Sequence, residues 1–250
     1  MKINEQTKTF KEAAIAQLQM DILPLQGFKT LSTDNSINIG FRPIENAFPN
    51  AKFPAGCTHE FLTTSNEDLA STNGFLAVLL SKLMQFDGAA IWISSSRTLF
   101  PASLKRFGIQ PDKIIFIDLK NESDLLYATE ESLKCQRIAV VVAELKHIAF
   151  KESRRLQLAA EQSRVTGFLI RHQPKILNTT ACVSRWRIRS LPSELVDGMP
   201  GVGFPRWNVE LLKVRNGKPG SWKIEWSANQ FHQIEEDIYS IQMNEKRKTG

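Results

Sequence analysis

One strand–loop–helix segment near the start of the chain has the arrangement of a phosphate-binding loop without its chemistry. Residues 57–62 predict a buried strand, residues 73–84 predict an apolar helix, and residues 63–72 (TTSNEDLAST) connect them. A loop in this position binds phosphate through glycine N–H groups, a lysine, and a serine or threonine that ligates Mg²⁺. This loop has neither Gly nor Lys, and Glu67 and Asp68 would repel phosphate. We therefore predict no nucleotide cofactor here.

Arginines supply the other candidate chemistry. In SRWRIR, the two-residue period of a strand places Arg185, Arg187 and Arg189 on one face. Three like charges are costly to bury, so we expect this face to be exposed or to contact an anion. Arg154 and Arg155 come near the start of a predicted helix, where positive charge opposes the helix dipole. These five arginines are candidates for binding DNA or a partner, with simple solubility as the alternative interpretation.

The formal charge of +6 is unevenly distributed along the chain. Residues 146–223 contain fifteen Lys and Arg and five Asp and Glu, which gives +10 there and −4 elsewhere. Such asymmetry indicates a polyanion or an acidic protein surface as a partner. A solvated basic face is the alternative.

The remaining polar residues indicate neither a metal site nor a hydrolytic site. The histidines lack an HxxxH spacing and the cysteines lack a CxxC spacing, so we predict no bound metal. No serine lies in a GxSxG elbow, and no cysteine has neighbours that would activate a thiolate. Glu144 follows a predicted strand, where it is either a relic Mg²⁺ ligand or a structural or partner-binding residue.

The number and spacing of the cysteines and the hydropathy of the chain indicate where in the cell the protein is located. Cys57, Cys135 and Cys182 are widely spaced and odd in number, which predicts buried reduced thiols and a cytoplasmic location. No run approaches the roughly 20 apolar residues that span a bilayer, and the N-terminus lacks the apolar core of a signal peptide. We expect no membrane partner.

Strand and helix signals alternate and then give way to strands alone. Strands are predicted at 57–62, 88–94, 113–118, 138–143 and 167–171, and helices at 73–84, 99–107, 122–134 and 151–164. Further strands are predicted at 181–191, 207–215 and 221–226, the last two flanking an NGKPG turn. The pattern predicts an α/β fold with a mostly parallel central sheet, flanked by helices and extended by antiparallel C-terminal strands. Trp207, Trp222 and Trp226 are expected in its core.

The chain divides into three predicted regions. Residues 1–36 form an N-terminal helix, at 9–20, and a linker. Residues 37–230 form the core domain, and residues 231–250 form a polar tail. The tail carries apolar residues that we predict to anchor a partner: Phe231, Ile234, Ile238, Tyr239 and Ile241.

The order of these elements resembles a RecA-type core. FPAGCTHEF resembles the segment leading into the first central strand of that core, and IAVVVAEL resembles its Walker B strand. More narrowly, RRLQLAAEQS, ACVSRWRIRSLPS and WNVELLKVRNGKPGSWKIEW are similar to the ImuA family. The resemblance covers residues 37–226. It implies a RecA-like core over residues 37–230 without a functional phosphate loop.

Departures from RecA all point in one direction. TTSNEDLAST stands at the phosphate loop, Ser96 at the catalytic glutamate, and His172 near the glutamine that senses the γ-phosphate. The second DNA loop is shortened to about QPKILNTT. The resemblance thus implies a protein that is not an enzyme and does not form ATP-driven filaments.

The resemblance implies an accessory or adaptor role in SOS-induced, error-prone translesion synthesis. The expected partner is a polymerase-like ImuB protein, with a replicative-type polymerase subunit and RecA as further candidates. Three alternatives remain open: a direct DNA-binding protein that uses the arginine face, a residual ATPase, and a SulA-like cell-division inhibitor, whose family shares a RecA-related fold without a phosphate loop.

Overall fold

The computed structural model describes residues 37–85, 88–194 and 203–234. The strands are β1 (Thr58–Thr63), β2 (Ala89–Ser94), β3 (Ile114–Asp118), β4 (Ile138–Leu145), β5 (Thr166–His172), β6 (Ser184–Leu191), β7 (Arg206–Val214), β8 (Gly220–Ser227) and β9 (Gln230–Gln233). The helices are α1 (Arg42–Glu45), α2 (Asn66–Leu83), α3 (Glu122–Lys134) and α4 (Phe150–Ser163), and 3₁₀ segments occur at Pro49–Ala51, Pro101–Phe107 and Pro111–Lys113.

Within the described ranges the strands form one sheet in the order β3-β2-β4-β5-β1-β6-β7-β8-β9. Strands β1 to β6 pair in parallel, and β6, β7, β8 and β9 pair antiparallel in succession. The continuous apolar character of the first strands suits a parallel sheet covered on both faces, and the hairpin turn reverses the later ones. The predicted α/β class, with a parallel centre and antiparallel extension, is confirmed.

Two apolar layers cover the sheet. On one face α2, the 37–53 segment and the antiparallel strands enclose a large aromatic core, in which Trp186 lies parallel to Phe61 with ring centroids 6.1 Å apart. On the other face α3 and α4 cover a smaller aliphatic core. Of the three tryptophans expected in the core, Trp207 and Trp226 are buried and Trp222 packs half-buried against the same cluster.

Helix α2 begins earlier than the sequence predicted, because the 63–72 segment is helical from Asn66 onward. Ser65 is the N-cap, and its hydroxyl accepts a hydrogen bond from the backbone N–H of Asp68 at 3.1 Å. The Asp68 carboxylate accepts from the Thr64 N–H at 3.2 Å and from the Thr64 hydroxyl at 2.5 Å. Prediction as a loop was wrong because the Ser-x-x-Asp pattern, which resembles a capping box, went unrecognised.

Two further predictions differ from the structure, and a third falls on residues that it does not describe. The helix predicted at 99–107 is a 3₁₀ segment, Pro101–Phe107, that ends at Gly108 with φ of 79°. Cys135 is exposed at the end of α3 and is not a buried thiol, whereas Cys57 and Cys182 are buried. The helix predicted at 9–20 lies outside the described residues. Among the described helices, none is long and apolar enough to cross a bilayer.

A buried histidine links three segments of the large core. Trp186 donates its indole N–H to the Ser184 hydroxyl at 2.6 Å, and Ser184 lies 2.7 Å from Nδ1 of His59. The His59 Nε2–H donates to the Pro54 carbonyl at 2.9 Å. Burial favours the neutral imidazole and lowers the pKa of His59 from 6.5 to about 4.

We predict a pH-dependent loss of stability from His59. Because its folded pKa lies below the unfolded value, the unfolded chain binds the extra proton between about pH 6.5 and 4. Stability that is complete above pH 6.5 should therefore fall by about 1.4 kcal/mol per pH unit through this range. Urea unfolding at a series of pH values should show this slope in wild type and in His147→Gln, an exposed control, and a shallower slope in His59→Gln. Equal slopes in all three proteins would contradict the assignment.

Candidate protein-interaction site

A fully buried carboxylate, Glu60 of β1, organises the polar interior beneath the carboxyl edge of the sheet. Its Oε1 accepts from Nη1 of Arg171 at 2.9 Å, and its Oε2 accepts from Nε of Arg185 at 2.6 Å. The hydroxyl of Thr180 donates to Oε2 at 2.9 Å. A buried charge is tolerated only when it is paired and hydrogen-bonded, and Glu60 meets both conditions through three different chain segments.

Cations of this interior also hold the loop between β5 and β6 by its backbone carbonyls. The donor–acceptor pairs are Arg171 Nη2 to Ile176 O at 3.0 Å, Arg185 Nη2 to Asn178 O at 2.7 Å, Lys213 Nζ to Thr180 O at 3.2 Å, and Arg215 Nη2 to Ala181 O at 3.0 Å. Bonds from charged donors are stronger than neutral ones. The loop at residues 173–181 is therefore fixed from beneath.

The same loop is tied to the neighbouring turn between β4 and α4. Asn178 donates to the Ile148 carbonyl at 2.7 Å, and Ser153 accepts from the Ala181 N–H at 3.0 Å. At the start of α4, the Glu152 carboxylate accepts from the Ala149 N–H at 2.6 Å. The two loops thus present one surface at the carboxyl edge of the parallel strands.

This surface combines apolar and cationic side chains. Phe150, Ile176 and Leu177 are 55%, 69% and 54% exposed. Four exposed cations occur on the same two segments and the first turns of α4. We call this set the loop surface: Phe150, Ile176, Leu177, Lys146, Lys151, Arg154 and Lys175.

The predicted arginine face is largely occupied by carboxylates of the chain itself. Arg185 contacts buried Glu60, whereas Arg187 and Arg189 lie 3.7 and 3.9 Å from the Glu210 carboxylate. The antiparallel register between β6 and β7 brings Glu210 opposite Arg187. This face therefore meets anions without any external partner.

The two arginines predicted at the start of α4 have different surroundings. Arg155 forms an ion pair with Glu130 of α3. Arg154 is exposed, and no ion pair to it occurs among the described residues. The structure thus places Arg154 on the loop surface and separates it from the β6 arginines.

The predicted tail anchor is also divided. Phe231 is buried in β9, with its ring centroid 4.9 Å from that of Trp226. Ile234 is half-buried and bonds through its N–H to the Lys223 carbonyl at 2.9 Å. Pairing of β9 with β8 turns Phe231 into the core, so it is not an exposed anchor. Ile238, Tyr239 and Ile241 lie outside the described residues.

Polar groups at the position of a nucleotide site bond to one another. The Glu144 carboxylate accepts from the Trp92 indole at 2.8 Å, and burial raises the pKa of Glu144. The Thr63 hydroxyl lies 2.9 Å from Nδ1 of His172. Within the described ranges, no three His, Cys, Asp or Glu side chains converge as metal ligands. The donors at the start of α2 face the Asp68 carboxylate and the Ser65 hydroxyl.

Apart from Arg154, sequence reasoning missed the residues that build the loop surface. Glu60 interrupts an otherwise apolar strand, THEFLT, and such a charge inside a buried strand is the available signal for a polar interior. Ile176 and Leu177 gave no signal, because their exposure depends on how distant cations hold the loop.

We predict that Glu60→Ala destabilises the protein by about 3–5 kcal/mol, because it leaves the fully buried Arg171 guanidinium without a counter-charge. The matched control is Glu131→Ala, which removes an exposed partner of Lys134 and should change stability little. Urea unfolding at neutral pH measures both. A Glu60→Ala protein as stable as the control would show that the buried network does not hold the fold.

Comparison with known proteins gives the family. No protein-family profile matches the chain. Two proteins called Protein ImuA, from Caulobacter vibrioides strains NA1000 / CB15N and ATCC 19089 / CIP 103742 / CB 15, are each 30% identical over 201 residues, covering 76% of this chain and 82% of theirs. Cell division inhibitor SulA of Photorhabdus laumondii is 30% identical over 111 residues, or 43% of this chain. As its SRWRI and RRLQLAAE motifs predicted, the chain belongs to the ImuA family.

Proposed function

We propose that this protein is a non-catalytic accessory factor in damage-induced mutagenesis, which binds partner proteins and does not hydrolyse nucleotide. Membership of the ImuA family supports the pathway. The observation that carries the non-catalytic part is the start of α2, where the Asp68 carboxylate accepts from the Thr64 N–H and the Ser65 hydroxyl accepts from the Asp68 N–H, so that two backbone donors there already have partners within the chain.

The electrostatics at this helix start oppose nucleotide binding. A phosphate at a helix N-terminus is bound by free N–H groups and by the positive end of the dipole. Here the Asp68 carboxylate sits in that field, and exposed Glu67 adds a second negative charge in the first turn. A bound nucleotide phosphate would be repelled by the carboxylates of both Asp68 and Glu67.

The proposed partner is the polymerase-like ImuB protein of an SOS-induced translesion pathway, with a replicative-type polymerase subunit and RecA as further partners. Two features support binding of proteins over catalysis. The loop surface exposes three large apolar side chains on loops that are fixed from beneath. At the carboxyl edge, polar side chains bond to one another in the Glu144–Trp92 and Thr63–His172 pairs.

Direct DNA binding is the second candidate, and the exposed cations of the loop surface favour it. Lys146, Lys151, Arg154 and Lys175 form no ion pair within the described ranges. The arginines of β6, by contrast, contact Glu60 and Glu210. DNA binding would make affinity fall steeply with salt, since each phosphate contact releases counterions. A SulA-like role has the shorter sequence match and would require binding to the tubulin-like division protein.

We predict that the protein shows no saturable binding of a fluorescent ATP analogue through the high micromolar range, because Glu67 and Asp68 place negative charge in the first turn of α2, where a phosphate would bind. Fluorescence titration measures this, with an active RecA protein as the positive control. Saturable binding that unlabelled ATP displaces would contradict the non-catalytic proposal.

We predict that the full chain captures the purified ImuB-type partner from the same organism, and that a chain ending at Ile234 captures it less well. The shorter chain lacks Ile238, Tyr239 and Ile241 but retains β9 and the buried Phe231 ring. A chain ending at Asn229 would lose that ring from the core and test stability instead. Thermal unfolding of both proteins is the control. Undiminished capture by the shorter chain would reject the tail, and no capture by either would reject the adaptor proposal.

A further inference from the structure

We propose that the loop surface is a docking site for an acidic protein segment that inserts aliphatic or aromatic side chains between its cations. This inference rests on the proposed function for the identity of the protein that carries the segment, the ImuB-type partner. It assigns the contact to the carboxyl edge of the parallel strands, where Arg185 of β6 supports the loop from beneath.

Three large apolar side chains of the loop surface are exposed to water, which is unfavourable unless a partner covers them. Single exposed apolar residues are common on protein surfaces, but contiguous ones mark interaction sites. Ile176 and Leu177 are adjacent in the chain, and Phe150 follows the turn to which the loop is tied by the Asn178–Ile148 bond. Covering exposed apolar area removes it from water, which favours association.

The buried cations preorganise this surface. Arg171 and Arg185 each bond to Glu60 and also to a carbonyl of the loop, Ile176 and Asn178 respectively. The loop therefore holds Ile176 and Leu177 outward without using their own side chains for packing. Binding to a fixed loop avoids the entropy cost of ordering it, so this geometry favours association.

The charge of the loop surface indicates what kind of protein segment would bind to it. Lys146, Lys151, Arg154 and Lys175 are exposed on the same two loops and the first turns of α4 as the apolar side chains. Two carboxylates lie close to this surface: Glu152 accepts from the Ala149 N–H at 2.6 Å, and Glu122 accepts from the Lys146 N–H at 3.2 Å. The four cations outnumber them, so the balance of charge is positive. Arg154 lies near that helix start, where a cation is unfavourable, and an acidic ligand would offset its cost. The surface is complementary to an anionic segment.

A protein segment fits this surface better than a nucleic acid. Non-specific binding of single strands uses aromatic side chains on which bases stack, and here the aromatic ring of Phe150 stands beside two aliphatic side chains. Exposed aliphatic side chains on loops that also carry exposed cations instead match a segment that presents both apolar and acidic side chains, since protein interfaces combine an apolar centre with a polar rim.

The test compares two kinds of variant of the full chain in titrations with the purified ImuB-type partner. Ile176→Ser/Leu177→Ser removes the apolar centre, and Lys151→Glu/Arg154→Glu reverses the cationic rim. Each should raise the Kd at least about tenfold, because both contributions are made at the same contact. Tyr127→Ser on α3, which removes a 65% exposed side chain elsewhere, is the matched control and should leave the Kd unchanged.

The outcomes separate this inference from the proposed function. Wild-type binding that both variants retain at full affinity would overturn the docking site and leave the adaptor function standing. No binding by wild type would overturn both. Hydrogen exchange on the wild-type complex provides a measurement without variants: residues 146–151 and 173–178 should become protected, and unchanged exchange there would overturn the docking site. Loss of affinity for oligo-dT, with partner affinity retained, would assign the surface to DNA and overturn it as well.

Discussion

The carboxylate of Glu60 is the interaction on which the carboxyl edge of this protein depends. It lies in β1, the middle strand of the nine-stranded sheet, and receives bonds from β5, from β6 and from the loop between them. An unpaired charge in this interior would be prohibitively costly, so the three segments must reach their places together. The guanidinium groups of Arg171 and Arg185 also bond to carbonyls of the 173–181 loop. The buried Glu60 carboxylate therefore helps to fix the loop whose side chains form the loop surface.

In the region where a nucleotide would bind, polar side chains also form hydrogen bonds within the chain. Asp68 and Ser65 cap α2, Trp92 donates to Glu144, and Thr63 contacts His172. These polar groups at the ends of the strands have partners from within the chain. Parallel strands still bring these groups to one edge, which is the general consequence of the topology. The architecture of a ligand-binding sheet is thus retained with side chains whose bonds are made to each other.

Much of the fold could be predicted from the sequence, because apolar periodicity and the Gly and Pro residues of turns are local properties. The residues predicted for α3, 122–134, are those the structure gives, and the order of strands and helices followed from alternating apolar segments. The start of α2 was misjudged because capping competes with apolar pattern as a helix signal, and only the cap defined the first turn. The candidate site was less predictable. Of the five arginines, Arg154 alone joined the loop surface, since side-chain partners were not visible in the spacing.

The sequence by itself determined the α/β class, the absence of glycine and lysine from the phosphate-loop position, and the motifs that indicated the ImuA family. These depend on residue types and short spacings, which a linear chain displays. Only the tertiary structure decided that Arg185 pairs with Glu60, that Phe231 packs in the core, and that Ile176 and Leu177 face outward. The physical reason is that burial and charge pairing are set by residues far apart in sequence: Glu60 meets Arg185 across 125 positions, and no local pattern encodes that contact.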